Sequence, residues 1–202
     1  MKGHLGKAPM RALTYSHYGP PDVVGIEDVP KPEIGPNDVL VRVMASGVNT
    51  GDWRVRAADF PGIMVVPGRL MFGLTKPRNR RLGTEFAGTI AAVGTDTTRF
   101  AVGDRVFGFS AKGGASAEYL AIDQDAAIAP MSSTLSFEEA AALPFGGLAA
   151  LAFLTDFGAL KADQDVLIVG ASGGVGVYAV QIAKAFGARV PSVPIIVRHS
   201  TG

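Results

Sequence analysis

The chain has 202 residues, a formal net charge of +1, 48% hydrophobic and 18% charged residues. That is material for a sizeable core, in one large domain or two small ones, and it argues against disorder. The near-neutral balance argues against a general nucleic-acid or anionic-membrane binder, and the absence of cysteine rules out disulfides, a thiol nucleophile and a thiolate zinc site.

The first residues lack the apolar core of a signal peptide, no apolar run approaches the ~20 residues of a membrane span, and no internal repeat is visible. A soluble cytoplasmic protein is the expectation. Residues 38–46, DVLVRVMAS, alternate Val39, Val41 and Val43 against Leu40, Arg42 and Met44 after the turn signal IGPND, the period of a half-buried strand. Residues 85–94 (EFAGTIAAVG), 104–110 (DRVFGFS) and 117–122 (AEYLAI) are further short strand-like runs. Strands at this spacing predict a small barrel or sandwich up to about residue 129. After Pro130 the character changes. Ser136 with Glu139 three residues on forms a capping box, for a helix that stops before Pro144. A second helix is predicted over 147–157, with Gly158 as its C-terminal cap. VLIVG, residues 166–170, is a continuous apolar strand of the kind buried in a parallel sheet. Beyond it Val175, Tyr178, Ala179, Ile182 and Phe186 recur at helical spacing up to Gly187. The next strand begins at residues 188–190. The chain therefore divides into an all-β unit, 1–129, and a helical lead into one βαβ crossover, 130–202.

Gly170, Gly173 and Gly176 give G-x-x-G-x-x-G between that strand and that helix. The first glycine permits a tight turn, the second lets the backbone approach a pyrophosphate, and the third lets helix and strand lie close. The helix N-terminus offers free N–H groups and partial positive charge, and Ser172 can add a hydroxyl. An ordinary strand-to-helix turn would also use glycine. The strand before and the amphipathic helix after favour the dinucleotide reading.

The segment VLIVGASGGVGVYAVQIAKAFGARV closely resembles the cofactor turn of the medium-chain dehydrogenase/reductase superfamily. In the same order along the chain, YGPPDVVGIEDVPKPEIGPNDVLVRVMASGVNTGD, LGTEFAGTIAAVG, FAVGDRVFGF and ASAEYLAI resemble the GroES-like catalytic domain of its zinc-independent, quinone-oxidoreductase-like branch. The resemblance spans about residues 10–190. It implies an all-β GroES-like N-terminal domain followed by an incomplete α/β Rossmann-type domain. It also implies hydride transfer from NADPH, with NADH left open, to a quinone, enone or similar carbonyl substrate. Gly170, Ser172, Gly173, Gly174, Val175 and Gly176 would then hold the pyrophosphate. Asn49 would lie by the nicotinamide ribose and substrate as a cofactor contact and catalytic group, its amide donating to a carbonyl or to the ribose. Zinc-dependent members carry cysteine and histidine where this chain has Asn49 and Thr84, so no metal is expected. His4, His17 and His199 do not cluster in sequence. The expected partner is a small-molecule substrate, with no nucleic acid and no membrane, and with a homo-oligomer left open.

The departures from the family also carry information. Phe60 stands where some reductases of the branch have a proton-donating tyrosine, which leaves solvent as the proton source. Ala149 replaces a frequent threonine and Asp163 a common glycine. Asp52 and Arg56 have the i, i+4 spacing of a structural helix pair. KPRNRR, residues 76–81, reads as a solvated loop, and Trp53, Phe107 and Phe109 as packing residues. The resemblance stops at Val190, where PSVPIIVRHSTG brings Pro191 and Pro194 into what should be a central strand; a shifted reading frame or truncated gene is the expected cause. Only one βαβ unit of the usual two halves fits. No acidic residue follows Asp165, which leans toward NADP, and Arg198 could meet a 2′-phosphate. The rival reading is a non-catalytic truncated fragment of such an enzyme, a GroES-like module with little or no cofactor binding.

Overall fold

A computed structural model of the chain describes residues 9–193. Its first unit, Met1–Ala142, is organised by strands whose apolar side chains close its core. β1 (Pro9–Tyr15) and β2 (Val24–Pro30) form an antiparallel hairpin. β3 (Asp38–Ala45), β4 (Glu85–Val93), β5 (Arg105–Phe109), β6 (Tyr119–Asp123) and β7 (Ile128–Pro130) form one antiparallel sheet in the order β6-β3-β4-β5-β7. The register sets Val41 opposite both Ile90 and Leu120, and Val39 opposite both Val93 and Ile122. These side chains close a core with Phe86, Phe100, Val106, Ala115 and Ile128. The hairpin is tied to the rest of the unit by bridges from Ala12 to Ala117 and from Thr14 to Arg81.

Thr14 is buried, and its hydroxyl has no hydrogen-bond partner among the described residues. A buried hydroxyl left unsatisfied costs about 1–3 kcal/mol. Thr14→Val keeps the β-branched shape that suits a strand and removes the stranded oxygen. The urea midpoint is expected to rise, with a gain of about 1 kcal/mol; an unchanged or lowered midpoint means that the hydroxyl has a partner.

The unit is not purely β. α1 (Thr50–Ala57) and α2 (Val65–Phe72) interrupt the strands. Asn49 caps α1 through a reciprocal box with Asp52. In α2, Pro67 and Gly68 look like helix breakers, yet Pro67 falls in the first turn, where its missing N–H removes no internal bond. Gly68 is buried because the Phe60 ring lies where a side chain would be, 2.7 Å from an added Cβ. α3 (Phe137–Ala141) starts as the sequence predicts: Ser136 Oγ accepts from the Glu139 N–H (3.1 Å), and the Ser136 N–H donates to Glu139 Oε2 (2.8 Å). Its Ala140 and Ala141 join Ala87, Met131 and Phe107 in a second small core, so Phe107 is a packing residue. α3 thus belongs to the first unit, although it follows Pro130.

The second unit, Leu143–Gly202, opens with α4 (Pro144–Ala152), which has Pro144 as its first residue and runs into a π-helical turn, Phe153–Phe157. The predicted helix over 147–157 is therefore longer at its start and π-wound at its end. Gly158 follows in right-handed conformation, and the left-handed turn falls on Ala159, φ 46°. β8 (Ile168–Val169), α5 (Gly176–Ala185) and β9 (Ser192–Val193) make one parallel crossover. Ile168, Ala183 and Ala188 form its core with Val166, Ala179, Val180 and Val190. Periodicity predicts Phe186 on the inner face of the helix. It is 44% exposed, because α5 ends at Ala185 and Gly187, φ 79°, turns the chain back. The apolar run 166–170 yields only two ladder residues, with Leu167 and Val169 exposed on one side. Pro191 still serves the pairing by accepting from the Ile168 N–H (3.4 Å). Pro194 lies outside the described residues. Among the described residues no helix is long and apolar enough to cross a membrane.

Candidate functional site

The glycine turn in the second unit divides its labour as steric arguments require. Gly170 has φ 80°, a left-handed conformation that favours glycine. The Gly173 N–H folds back onto the Gly170 carbonyl (2.9 Å). A Cβ on Gly176 would lie 2.1 Å from the Gly170 oxygen and 2.8 Å from the Ala171 Cα, so only glycine lets α5 start this close to β8. A Cβ on Gly174 would meet nothing within 4 Å, and one on Gly173 only the Gly170 oxygen at 3.3 Å. These two glycines, with Ser172, are exposed and border open space. The N–H groups of Gly174, Val175 and Gly176 donate to no backbone carbonyl among the described residues, as expected of a helix's first turn. An exposed row of such donors without side chains over it fits a pyrophosphate. Sequence reasoning missed Gly146: a Cβ there would lie 2.2 Å from the Gly174 oxygen and 2.7 Å from the Tyr178 ring, so α4 supports the turn at a point where only glycine fits. The predicted helix begins one residue later, at Gly147, and no local pattern singles out Gly146.

In the first unit, Asn49 sits in a closed polar cluster. Its Nδ2 donates to Thr84 Oγ1 (3.0 Å) and to Glu85 Oε2 (2.8 Å), while its Oδ1 accepts from the Asp52 N–H (3.1 Å). The Asn49 N–H donates to Asp52 Oδ2 (3.0 Å), and the Thr84 hydroxyl donates to Asp52 Oδ1 (3.1 Å). Burial pushes the Asp52 carboxyl above its ordinary range; hydrogen bonds from Asn49 and Thr84 oppose that, and the charge of Glu85 adds to it. Ser46 Oγ donates to the Glu85 carbonyl (2.9 Å) and lies 3.1 Å from Ser116 Oγ. Both amide hydrogens of Asn49 are thus engaged within the chain. The positions expected to lack a metal, Asn49 and Thr84, are hydrogen-bonded to each other. Among the described residues no group of three His, Cys, Asp or Glu could hold a metal ion.

The remaining sequence candidates divide between those the fold uses and those it leaves apart. Asp52 and Arg56 do not pair. Asp52 turns to the helix N-terminus as the capping partner of Asn49, and Arg56, also buried, donates to the Gly19 carbonyl (2.5 Å). Phe60 stacks on Phe72, 5.7 Å between centroids. Trp53 is 43% exposed and Phe109 half-buried at the end of β5. In the 76–81 loop Arg80 pairs with Glu27 (3.0 Å) and Asn79 donates to the Lys112 carbonyl (2.7 Å). Ala149 lies in α4. Asp163 has φ 64°, which explains why glycine suits that turn and why an aspartate is tolerated. His17 lies beside Ser16 (3.0 Å); His4, His199 and Arg198 are outside the described residues. Glu85 was missed as a site residue. The signal available was a carboxylate opening an otherwise apolar strand, where a charge needs buried partners.

The alcohol dehydrogenase GroES-like domain family matches residues 35–152. The chain belongs to that family, and within the medium-chain dehydrogenase/reductase superfamily it is quinone-oxidoreductase-like. It is 34% identical over 189 residues to the quinone oxidoreductase of Rattus norvegicus, a match covering 92% of this chain and 53% of that protein. Among solved structures it is similar to the quinone oxidoreductase from Coxiella burnetii (31% identity, TM-score 0.76, 91% of this chain and 56% of that one). It is also similar to the Escherichia coli quinone oxidoreductase complexed with NADPH (28%, TM-score 0.75, 93% and 53%). The chain spans about half the length of the curated relatives it matches.

Proposed function

We propose that this chain carries the catalytic and pyrophosphate-binding parts of an NADPH-dependent, metal-free oxidoreductase that reduces a quinone, enone or related carbonyl compound. The observation that carries the reading is the turn at Gly170–Gly176, where the N–H groups of Gly174, Val175 and Gly176 donate to no backbone carbonyl among the described residues and no side chain covers Gly173 and Gly174. Kinship with quinone oxidoreductases, one of them solved with NADPH, supports the cofactor and the reaction class. When bound, NADPH supplies the hydride. Ser172, Gly174, Val175 and Gly176 bind its phosphates through a hydroxyl and N–H groups, while Gly170 and Gly173 shape the turn and leave the phosphates room. Asn49 orients Thr84 and Glu85 and meets the ribose or substrate through the second lone pair of its Oδ1, since its hydrogens are already donated. With Phe60 stacked on Phe72, the proton comes from solvent. A Rossmann-type second domain and a cytoplasmic setting complete the reading.

Calorimetric titration of the 202-residue chain with NADPH, and with NADH for comparison, tests it. One saturable site per chain, tighter for NADPH, is the expected result, followed by turnover of quinones or enones. A folded chain that binds neither nucleotide returns the reading to a GroES-like module without cofactor.

A further inference from the structure

α2 is built the wrong way round for a helix on a water-soluble surface. Its inward face is Gly68 and Phe72, held against Phe60. Its outward face, with the turn before it and the residue after it, carries Ile63, Met64, Val66, Leu70, Met71 and Leu74, between 50% and 92% exposed. Within α2, Val66 and Leu70 are one turn apart and share a face, and Ile63 in the turn before the helix and Leu74 after Gly73, φ 128°, add to the exposed apolar surface. An apolar surface of this kind turned to solvent marks an interaction site. Its chemistry is one-sided: residues 60–84 contain no Asp or Glu, while Arg69, Lys76, Arg78, Arg80 and Arg81 are all cationic. The cations adjoin the apolar surface. Arg78 donates to the Met71 carbonyl (3.3 Å) and Arg69 to the Leu74 carbonyl (3.0 Å). Lys76 is exposed and makes no ion pair among the described residues.

We infer that residues 61–78 are a peripheral membrane-docking element for an anionic phospholipid surface. The apolar surface enters the headgroup boundary, and Arg69, Lys76 and Arg78 meet lipid phosphates and carboxylates. Charge complementarity selects this occupant: Glu27 pairs with Arg80 and Asp59 precedes the segment, but the segment itself holds cations and no acid, which matches a surface that is apolar beneath and negative above. The near-neutral charge of the whole chain does not bear on so local a patch.

The test is co-sedimentation of the full chain with phosphatidylcholine vesicles, with and without phosphatidylserine, alongside sedimentation velocity without lipid. The chain is expected to bind the mixed vesicles, to bind phosphatidylcholine alone far more weakly, and to come off as salt rises. Ile63→Ser with Leu70→Ser, both at exposed positions, is expected to lower partitioning by about tenfold or more per residue. Lys76→Gln with Arg78→Gln is expected to lower it by about fivefold per cation. No binding to the anionic vesicles, or binding that the serine pair leaves unchanged, overturns the inference. Self-association abolished by the serine pair, with no vesicle binding, overturns it in favour of a second copy as the occupant.

Discussion

Gly176→Ala is expected to lower the thermal stability of the chain and to abolish NADPH binding together, whereas Gly174→Ala leaves the melting curve in place and weakens NADPH alone. The contrast follows from what each new methyl group meets. At Gly176 it falls 2.1 Å from the Gly170 oxygen and 2.8 Å from the Ala171 Cα. Both are backbone atoms, so no flexible side-chain end can swing aside, and either α5 or the end of β8 has to shift. Overpacking of this kind costs about 1–3 kcal/mol, a large share of the roughly 5–15 kcal/mol that holds a domain together. The N–H groups of Gly174, Val175 and Gly176 move with the helix, so the anion cradle is lost with the packing. At Gly174 the methyl group has nothing within 4 Å, and the position carries no left-handed φ, so the fold has no reason to respond. A phosphate approaching those N–H groups does, and a loss of about tenfold in affinity, roughly 1.4 kcal/mol, is expected. Circular-dichroism melting and NADPH calorimetry on both variants read the two effects separately. An alanine at 176 that melts like the parent contradicts the close approach of helix and strand. An alanine at 174 that binds NADPH like the parent contradicts the cradle.

The elements legible in the sequence were those where one force dominated. β3, β4, β5 and β6 lie within two residues of their expected ends, because each is a short apolar run bounded by turn residues, and in β3 burying Val39 and Val41 with Arg42 outside leaves one register, although Leu40 is buried as well. β1 and β2 went unread. The inward residues of β1, Met10, Ala12, Thr14 and Tyr15, mix small, polar and aromatic side chains, β2 buries none of its own, and Pro9 and Pro30 end the hairpin with Pro20 and Pro21 in its turn. α1 was legible only in the i, i+4 spacing of Asp52 and Arg56, because TGDWRVRA has no apolar stripe. Its real signal was the Asn49–Asp52 spacing, a capping box made with other residue types. α2 was hidden by Pro67 and Gly68, one tolerated by its place in the first turn and the other required by Phe60. The glycine turn was legible as a motif, but its supporting contact at Gly146 was not, since only three-dimensional packing brings α4 against Gly174. The polar cluster was half legible: Asn49 and Thr84 were singled out by resemblance, while their tie through Asp52 and Glu85 depends on β4 and α1 meeting.

That cluster makes Asn49→Asp the sharper probe of the first unit. Aspartate caps a helix about as well as asparagine, and it keeps the oxygen that accepts the Asp52 N–H, so the start of α1 survives. What changes is the other half of the side chain. An amide nitrogen donating to Glu85 Oε2 at 2.8 Å and to Thr84 at 3.0 Å becomes an anionic oxygen facing the Glu85 carboxylate, beside an Asp52 whose carboxyl burial already pushes up. Unpaired charge of this kind in a buried site costs about 3 kcal/mol. The sign of the pH dependence follows. Carboxyls crowded together in the folded chain hold protons more tightly than in the unfolded chain. The folded state is then least penalised below the ordinary aspartate value of 3.8, and it loses stability as pH rises through the raised values. The deficit in urea midpoint relative to the parent is therefore expected to be small in acid and full at neutral pH. Asn49→Ser supplies the reference: it keeps a capping oxygen, adds no charge and loses the two donated hydrogen bonds, so its deficit of about 1–3 kcal/mol should vary little with pH. A deficit in the aspartate variant that is equally flat would mean that Glu85 and Asp52 do not face position 49, and the cluster would have to be redrawn around Thr84.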